Sequence, residues 1–356
     1  MSELKKAVVI IPSLEPDEAL LKYCNNLISS GFDRLIIVND GSSSEYDSIF
    51  NQIAEKKECI LLKHAINLGK GRALKNAINY YMSMPDYSNY CGVITADSDG
   101  QHSVEDVLAL QDELRLEKEE LILGVRDFDS DNVPPKSKFG NKLTRSVFSV
   151  FHGVRLTDTQ TGLRAIPNSI AAKYIDLFGE RFEYETNMLV YTAVNGIPFR
   201  EIPIETIYLD NNSGTHFNPI KDSLAIYKLL FSTFFKFSIA SLSSFIIDIA
   251  IFQFVIMLLA GFDASVKIIC ATVIARIFSS LYNFYVNRNI VFRSKEKTAS
   301  SMIKYYLLVV IQMAASASLV YALFGILQIP ETIVKILVDT LLFLISFGIQ
   351  KRFIFK

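Results

Sequence analysis

The chain has 356 residues, and its charged residues divide it into two parts of different character. Residues 1–228 carry a formal net charge of −8 and have the composition of an ordinary acidic soluble domain, whereas residues 229–356 carry +7 and consist of long apolar runs separated by basic residues. This length and this contrast predict two domains. Residues 1–228 lack a basic, aromatic face that would suit nucleic acid, so we expect no nucleic-acid partner, although nucleotides stay open as ligands.

The first domain is expected to stay in the cytosol. The four cysteines (Cys24, Cys59, Cys91 and Cys270) have neither metal nor redox spacing, which favours a reducing compartment. The apolar run near the N-terminus is too short for a signal peptide.

Short β-branched runs and amphipathic stretches alternate through the first domain. The pattern predicts strands at 7–11, 34–38, 59–63 and 121–125, and helices at 17–30, 48–56 and 70–81. Such alternation is typical of an α/β fold with a doubly wound, mainly parallel sheet. Ligands of these sheets bind outside the carboxyl ends of the strands, where we expect to find Pro12, Asp40, Asn67 and Asp97.

The segment 94–102, Ile-Thr-Ala-Asp-Ser-Asp-Gly-Gln-His, follows a buried-type strand. Alternate residues of an extended segment point the same way, so Asp97, Asp99 and Gln101 can converge on one cation. Oxygen ligands with vacant positions suit Mg²⁺ or Mn²⁺ bridging a diphosphate. A solvated acidic turn is the alternative for a bare Asp-x-Asp triplet, and the position after a strand favours the metal.

Two further strand ends carry residues that suit a nucleotide. The Asp40 carboxylate can accept a hydrogen bond from the imino N–H of uracil or guanine, or it can form an Asx-type turn, and the residue alone leaves both open. The segment 64–72 places two glycines near a helix start beside Lys70 and Arg72, a pattern that suits an anionic or nucleotide ligand. Its glycine spacing excludes the phosphate loop and the dinucleotide fingerprint.

Together these motifs resemble the family-two inverting glycosyltransferases with the GT-A fold, specifically the dolichyl- and polyprenyl-phosphate sugar transferases. The resemblance covers about residues 5–222 and is carried by Pro12 and the segments 39–42, 67–71, 97–102 and 158–164. Glu15, Asp17 and Glu18 stand where the family motif has one glutamate, and we take Glu15 as the candidate. The resemblance implies nucleotide binding by Pro12, Glu15, Asp40, Asn67, Lys70 and Asp97, metal binding by Asp97, Asp99 and Gln101, and catalytic roles for Asp99, Arg126 and Arg164.

The chemistry of transfer supports a phosphate acceptor. A phosphate monoester is largely ionised at neutral pH, because its second pKa is ~6, and it therefore needs little help from a base. The task is then to neutralise charge with a metal and arginines. Arg126 follows a predicted strand and is placed for this role; a surface salt bridge to Asp127 or Asp129 is the alternative. The chain has no Trp and no Gln-x-x-Arg-Trp motif, which favours a single transfer.

Two stretches of the first part have the pattern of helices lying in a membrane interface. Residues 134–154 alternate basic and apolar side chains, which predicts an interfacial helix at about 136–153 or a helix packed on its own sheet. Residues 219–236 are amphipathic and aromatic and predict a second interfacial helix. Candidates for the acceptor or lipid phosphate are Arg126, Lys138 and Arg145, with Ser213 and His216 of the polar loop 211–218.

Four apolar stretches, at about 237–260, 266–287, 305–329 and 332–350, are each near the ~20 residues that span a bilayer. The basic loop after the second stretch and the basic tail mark the cytoplasmic side. We therefore expect a multi-pass protein of the cell (inner) membrane, with the catalytic domain and both termini cytoplasmic. The sequence thus predicts three segments: the catalytic domain at 1–218, the second interfacial helix at 219–236 and the membrane domain at 237–356.

The membrane part contains a weak internal repeat, in which residues 283–292 match residues 346–355 at an offset of 63. The repeat predicts two helical hairpins, and the region resembles the GtrA-like four-helix membrane domain. Asp248 and Arg276 lie at equal depth on neighbouring predicted spans. Because a lone charge in the bilayer is costly, we expect them to pair.

These observations predict a metal-dependent, inverting membrane transferase that moves one sugar from a nucleoside diphosphate sugar to polyprenyl phosphate, undecaprenyl phosphate by resemblance to bacterial members. A flippase or carrier for the lipid-linked sugar, fed or regulated by the first domain, is the alternative. The sequence leaves open which sugar is transferred, whether the base is uridine or guanosine, and whether the protein is a homo-oligomer.

Overall fold

The computed structural model describes residues 4–128, 135–205, 221–327 and 330–355. The chain forms two compact units, Met1–Leu230 and Phe231–Lys356.

Strands and helices alternate along the first unit. Its strands are β1 (Ala7–Ser13), β2 (Leu35–Asn39), β3 (Cys59–Lys63), β4 (Gly92–Thr95), β5 (Leu121–Arg126), β6 (Arg164–Pro167) and β7 (Phe199–Ile204). Its helices are α1 (Glu18–Ser29), α2 (Asp47–Ala54), α3 (Lys70–Ser83), α4 (Val104–Leu114), α5 (Pro135–His152), α6 (Asn168–Ile175), α7 (Glu183–Val194) and α8 (Lys221–Leu230). The predicted strands and helices of the first domain therefore form, with ends that differ by a few residues.

The seven strands form one mainly parallel sheet, which confirms the predicted fold class. The strand order is β3-β2-β1-β4-β6-β5-β7. β6 alone runs antiparallel to its neighbours, β4 and β5. Apolar side chains of α3, α6 and α7 cover one face and those of α1, α2 and α4 the other. Burial on both faces explains why β1, β2 and β4 are continuous apolar runs.

The carboxyl ends of the parallel strands meet at one edge of this sheet. In β1 and β2, Ser13 is aligned with Asn39. In β4, Thr95 is aligned with Arg164 of β6, which is aligned in turn with Leu123 of β5. Residues that follow β1, β2, β4 and β5 therefore emerge at the same edge, as the sequence predicted.

The two helices with an interfacial pattern both pack on the first unit. In α5, Asn141, Thr144 and Phe148 are buried, while Phe139 and Val150 are 70% and 65% exposed. In α8, Ile226 and Leu230 are buried in the apolar core of the unit. The second predicted stretch, 219–236, is interrupted in the structure, because α8 ends at Leu230 and the next helix begins at Ser232. Residues 219 and 220 lie outside the described part.

The second unit consists of long apolar helices, α9 (Ser232–Leu258), α10 (Ala264–Val286), α11 (Thr298–Leu327) and α12 (Glu331–Ile349). Within the described residues, four helical segments are long and apolar enough to cross a membrane. α9 packs on α10 and α11 packs on α12, which gives two hairpins.

The internal repeat is visible in the structure. α10 and α12 each continue into a π-helical segment, Asn287–Val291 and Gln350–Ile354, whose starting positions are 63 residues apart. In both segments the first side chain donates a hydrogen bond to the side chain four residues earlier, at 2.7 and 3.0 Å. The two hairpins therefore share a local backbone geometry that the sequence repeat alone did not reveal.

Candidate active site

A cavity of about 140 Å³ opens at the carboxyl edge of the sheet. It brings together six of the predicted site residues: Pro12, Asp40, Asn67, Lys70, Asp97 and Asp99. The described lining also includes Ser13, Leu14, Gly69, Ser98, Arg181 and Phe182. The cavity therefore lies where the strand ends meet, as expected for a mainly parallel sheet.

The Asp40 carboxylate holds the loop that follows β3. Its Oδ1 accepts from His64 Nδ1 (2.7 Å) and from the Leu68 N–H (2.9 Å), and its Oδ2 accepts from the Gly69 N–H (2.8 Å). Asn76 Nδ2 lies 2.8 Å from His64 Nε2, which assigns the proton to Nδ1. Asp40 thus uses three of its four acceptor positions within the protein, and the residue lines the cavity.

The glycines before and within α3 accommodate the segment that precedes α7. Gly69 has φ +101°, a backbone conformation that favours glycine, and a Cβ there would collide with the Glu180 carbonyl. At Gly71 a Cβ would lie 2.5 Å from Tyr184 Cβ. Arg72 forms a bidentate ion pair with Glu180. Gly69, Gly71 and Arg72 therefore serve packing. Of the two basic residues Lys70 and Arg72, only Lys70 is in the described lining of the cavity.

Lys70 lies between two carboxylates at the floor of the cavity. Its Nζ is 2.6 Å from Asp97 Oδ1 and 3.0 Å from Glu185 Oε2. Burial lowers the pKa of Lys70, but Asp97 and Glu185 outweigh burial and raise it above its usual range. The ammonium therefore stays charged.

The two aspartates of the 94–102 segment differ in their electrostatics. Burial raises the pKa of Asp97, but Lys70 and His102, whose Nε2 is 3.4 Å from Asp97 Oδ2, hold it well below its usual range. Burial and the neighbouring Asp97 charge raise the pKa of Asp99. Two close carboxylates of this kind attract a cation.

The donor set fits a magnesium or manganese ion that is also held by substrate. In the described part of the chain, no three His, Cys, Asp or Glu side chains converge as a metal cage. Mg²⁺, however, is usually bound by one or two carboxylates together with substrate phosphates and water. Asp97 and Asp99 supply two carboxylates in one cavity. Gln101, the predicted third ligand, lies outside the described lining, and its backbone N–H donates to Asp99 Oδ1 (3.1 Å).

The two arginines predicted to face phosphates occupy different environments. Arg126 Nε donates to Asp158 Oδ2 (2.7 Å) and its Nη2 to Oδ1 (3.3 Å), and Asp158 is fully buried. Arg164 is only 1% exposed, and it donates to the carbonyls of Thr161 (3.0 Å) and Glu185 (2.6 Å). Arg164 therefore lies within the fold and outside the described cavity lining.

A second, basic cavity of about 530 Å³ lies beside Arg126. Arg126 Cζ is 4.9 Å from the centre of the Phe128 ring, and Phe128 lines this cavity. Its basic residues are Lys138, Lys142, Arg145 and Arg155. Two of the candidates for the lipid phosphate, Lys138 and Arg145, are therefore brought together.

The remaining predicted residues lie elsewhere. Glu15 is outside the described cavity lining; its φ is +50°, and its backbone N–H donates to Ser42 Oγ (2.8 Å). Ser213 and His216 lie outside the described residues. In the second unit, Arg276 Nε is 3.7 Å from Asp248 Oδ1, and Ser279 Oγ donates to the same oxygen (2.7 Å).

The sequence predicts that the segment 182–185 begins a helix facing the sugar site, and the fold brings two of its residues to the site together with Arg181, which the sequence did not single out. Arg181 and Phe182 line the cavity, and Glu185 binds Lys70. All three come from the start of α7, more than 80 positions after Asp97. The aromatic and acidic residues at 182–185 indicate this helix start in the sequence, but no spacing rule predicts the contact of Glu185 with Lys70.

Each of the two units contains a region that matches the model of a known protein family. Residues 8–176 match the model of glycosyl transferase family 2, and residues 232–355 match the GtrA/DPMS transmembrane domain. The chain carries a family 2 glycosyltransferase domain followed by a GtrA/DPMS membrane domain. It is therefore a multi-pass membrane glycosyltransferase, and its first unit has the GT-A fold.

Two curated relatives carry the names of dolichyl-phosphate sugar transferases. A UDP-N-acetylglucosamine–dolichyl-phosphate N-acetylglucosaminyltransferase of Methanococcus voltae is 27% identical, over 64% of this chain and 95% of that protein. The dolichyl-phosphate beta-glucosyltransferase ALG5A of Trichomonas vaginalis is 25% identical, over 50% of this chain and 55% of that protein. Among solved structures, S. aureus TarS aligns with a TM-score of 0.40 at 15% identity. The alignment covers 63% of this chain and 39% of TarS.

Proposed function

We propose that this protein transfers a single sugar from a nucleoside diphosphate sugar to a polyprenyl phosphate, with inversion, at the cytoplasmic leaflet. One observation carries the proposal: Asp97 and Asp99 share a cavity with Pro12, Asp40 and Asn67 at the carboxyl edge of the sheet. Family membership and the dolichyl-phosphate substrates in the names of the relatives support the acceptor class. In bacteria the acceptor would be undecaprenyl phosphate.

The donor would lie across the cavity from the base to the diphosphate. Pro12, Asp40 and Asn67 would frame the base, since they come from the ends of β1, β2 and β3. The diphosphate would lie beside Asp97 and Asp99, which would hold Mg²⁺ or Mn²⁺. When bound, this ion supplies positive charge that stabilises the departing diphosphate.

The acceptor phosphate would approach from the side of Arg126. Only β6 separates β4 from β5, so the strand ends that carry Asp97 and Arg126 are about 10 Å apart at ~4.8 Å per strand. Asp158 holds the Arg126 guanidinium in place, and the basic cavity beside it can accept a phosphate headgroup. Because a phosphate monoester is already ionised, these residues need only position it and offset its charge.

The test is a transfer assay with the full chain in detergent. Purified protein, undecaprenyl phosphate and Mn²⁺ are incubated with a panel of UDP- and GDP-linked sugars, and the glycolipid is identified by mass spectrometry. We expect one donor to give product, and chelation by EDTA to abolish the reaction. The absence of glycolipid with every donor would contradict the proposal. Product formation that persists in EDTA would contradict its metal step.

A further inference from the structure

Lys70 contacts an oxygen of Asp97, a carboxylate that would hold the divalent cation of the proposed function. Its ammonium is 2.6 Å from Asp97 Oδ1, and the other oxygen of Asp97 faces His102 Nε2. The Lys70 side chain lines the cavity and is 18% exposed. A divalent cation and the ammonium would compete for the same carboxylate oxygen.

Glu185 provides a second binding position for the same ammonium. Its Oε2 lies 3.0 Å from Lys70 Nζ. Glu185 is only 7% exposed, and its Oε1 is buried. This oxygen has no hydrogen-bond partner among the described residues. A buried carboxylate oxygen without a partner is costly, and a closer approach of Lys70 would satisfy it.

The charges favour this exchange when a metal enters. Asp97 and Glu185 place two carboxylates on one ammonium, and Asp99 lines the same cavity. A divalent cation on Asp97 would repel the ammonium, and Glu185 is the nearest remaining carboxylate that already contacts it. The ammonium would therefore move toward Glu185 without leaving the cavity floor.

We infer that Lys70 is the resident counter-ion of Asp97 in the metal-free protein, and that Glu185 is a positioning residue that receives Lys70 when the divalent cation binds. The inference rests on the metal site of the proposed function. It assigns Lys70 a role in metal affinity, in addition to the nucleotide contact that its motif predicts.

The test measures Mn²⁺ binding to the full chain in detergent, without nucleotide or acceptor, by electron paramagnetic resonance of free Mn²⁺. Lys70→Met removes the competing cation, so we expect it to bind Mn²⁺ about tenfold more tightly than the wild type. Lys70→Gln gives a second, polar replacement should the Met variant fold poorly. If both variants bind Mn²⁺ as the wild type does or more weakly, the inference is wrong.

Glu185 is tested by a double-mutant cycle. Glu185→Gln should weaken Mn²⁺ binding about tenfold in the wild-type background, because Lys70 then stays on Asp97. In the Lys70→Met background the same change should alter the affinity less than twofold. A tenfold loss in both backgrounds would show that Glu185 attracts the metal directly, and would overturn its role through Lys70.

Arg72→Met is the matched control. It removes a cation from the same helix, but this cation is paired with Glu180 outside the cavity lining, so Mn²⁺ affinity should not change. A tenfold gain in this variant would mean that net charge alone sets the affinity, which would also overturn the inference. The outcomes are separable from the proposed function, because glycolipid formation is measured independently of Mn²⁺ affinity.

Discussion

Replacing Gly162 with alanine should slow sugar transfer by about a hundredfold while the protein stays folded. The φ angle of Gly162 lies outside the left-handed region, so its backbone tolerates alanine. A Cβ there would lie 2.7 Å from Asp97 Oδ1 and 2.8 Å from Asp97 Cγ, and closer still to Oδ2. Ordinary carbon–carbon contacts are ~3.5–4.0 Å, so the Asp97 carboxylate must move by roughly 1 Å.

A displacement of about 1 Å should hardly change the stability of the fold, but it should strongly lower the rate of transfer. All three of the closest atoms belong to one side chain, which can rotate without shifting the backbone. A misplacement of about 1 Å at a reacting centre can cost about 10²-fold in rate. The rate loss therefore reports on the position of Asp97 and hardly at all on stability.

The assay compares initial rates of glycolipid formation and thermal unfolding midpoints for the wild type, Gly162→Ala and Gly140→Ala. Gly140 lies in α5 and has no atom within 4 Å of a Cβ built on it, so its replacement should leave the rate unchanged. If Gly162→Ala keeps more than half of the wild-type rate, or loses it only by unfolding, the reasoning about Asp97 is refuted.

Other substitutions test the contacts that support the site. Asp158→Asn should lower the free energy of unfolding by about 3 kcal/mol in denaturant titrations, because the substitution removes the carboxylate charge that pairs with Arg126. Gly71→Ala should lower the unfolding midpoint, since its Cβ would meet Tyr184 and nearby backbone; an unchanged midpoint would contradict the packing argument. Asp248→Asn should reduce the yield of folded protein from detergent, and an unchanged yield would show that its contacts in the second unit do not matter.

The part of the site that sequence could predict is the part that follows strand ends. Pro12, Asp40 and Asp97 come directly after buried runs, and parallel strands bring their carboxyl ends to one edge. The order of the residues along the chain is therefore enough to bring them together. The same apolar runs also predict which strands are buried on both faces of the sheet.

The rest depends on tertiary contacts that carry no local signal. Glu185 reaches Lys70 only because α7 packs beside α3. The resemblance implies a catalytic role for Arg164; in the structure β6 lies antiparallel between β4 and β5, and the Arg164 side chain is 1% exposed. Ile226 of α8 packs in the core of the first unit, a tertiary contact that the amphipathic pattern of this helix does not specify.

In the membrane unit, the repeat at an offset of 63 was readable because it keeps residue types at fixed positions. The π-helical geometry at Asn287–Val291 and Gln350–Ile354 was not readable, since one extra residue in a helical turn leaves the apolar pattern almost unchanged. The repeat in sequence therefore located these segments without giving their shape.

The most direct test of the central claim measures sugar transfer by Asp99→Ala beside the control Asp112→Ala. Asp112 is an exposed carboxylate on α4, outside the described cavity lining. We expect Asp99→Ala to form no detectable glycolipid and to lose Mn²⁺ binding while it stays folded, and Asp112→Ala to match the wild type. Transfer at the wild-type rate by Asp99→Ala would contradict the claim that these carboxylates hold the metal that transfer requires.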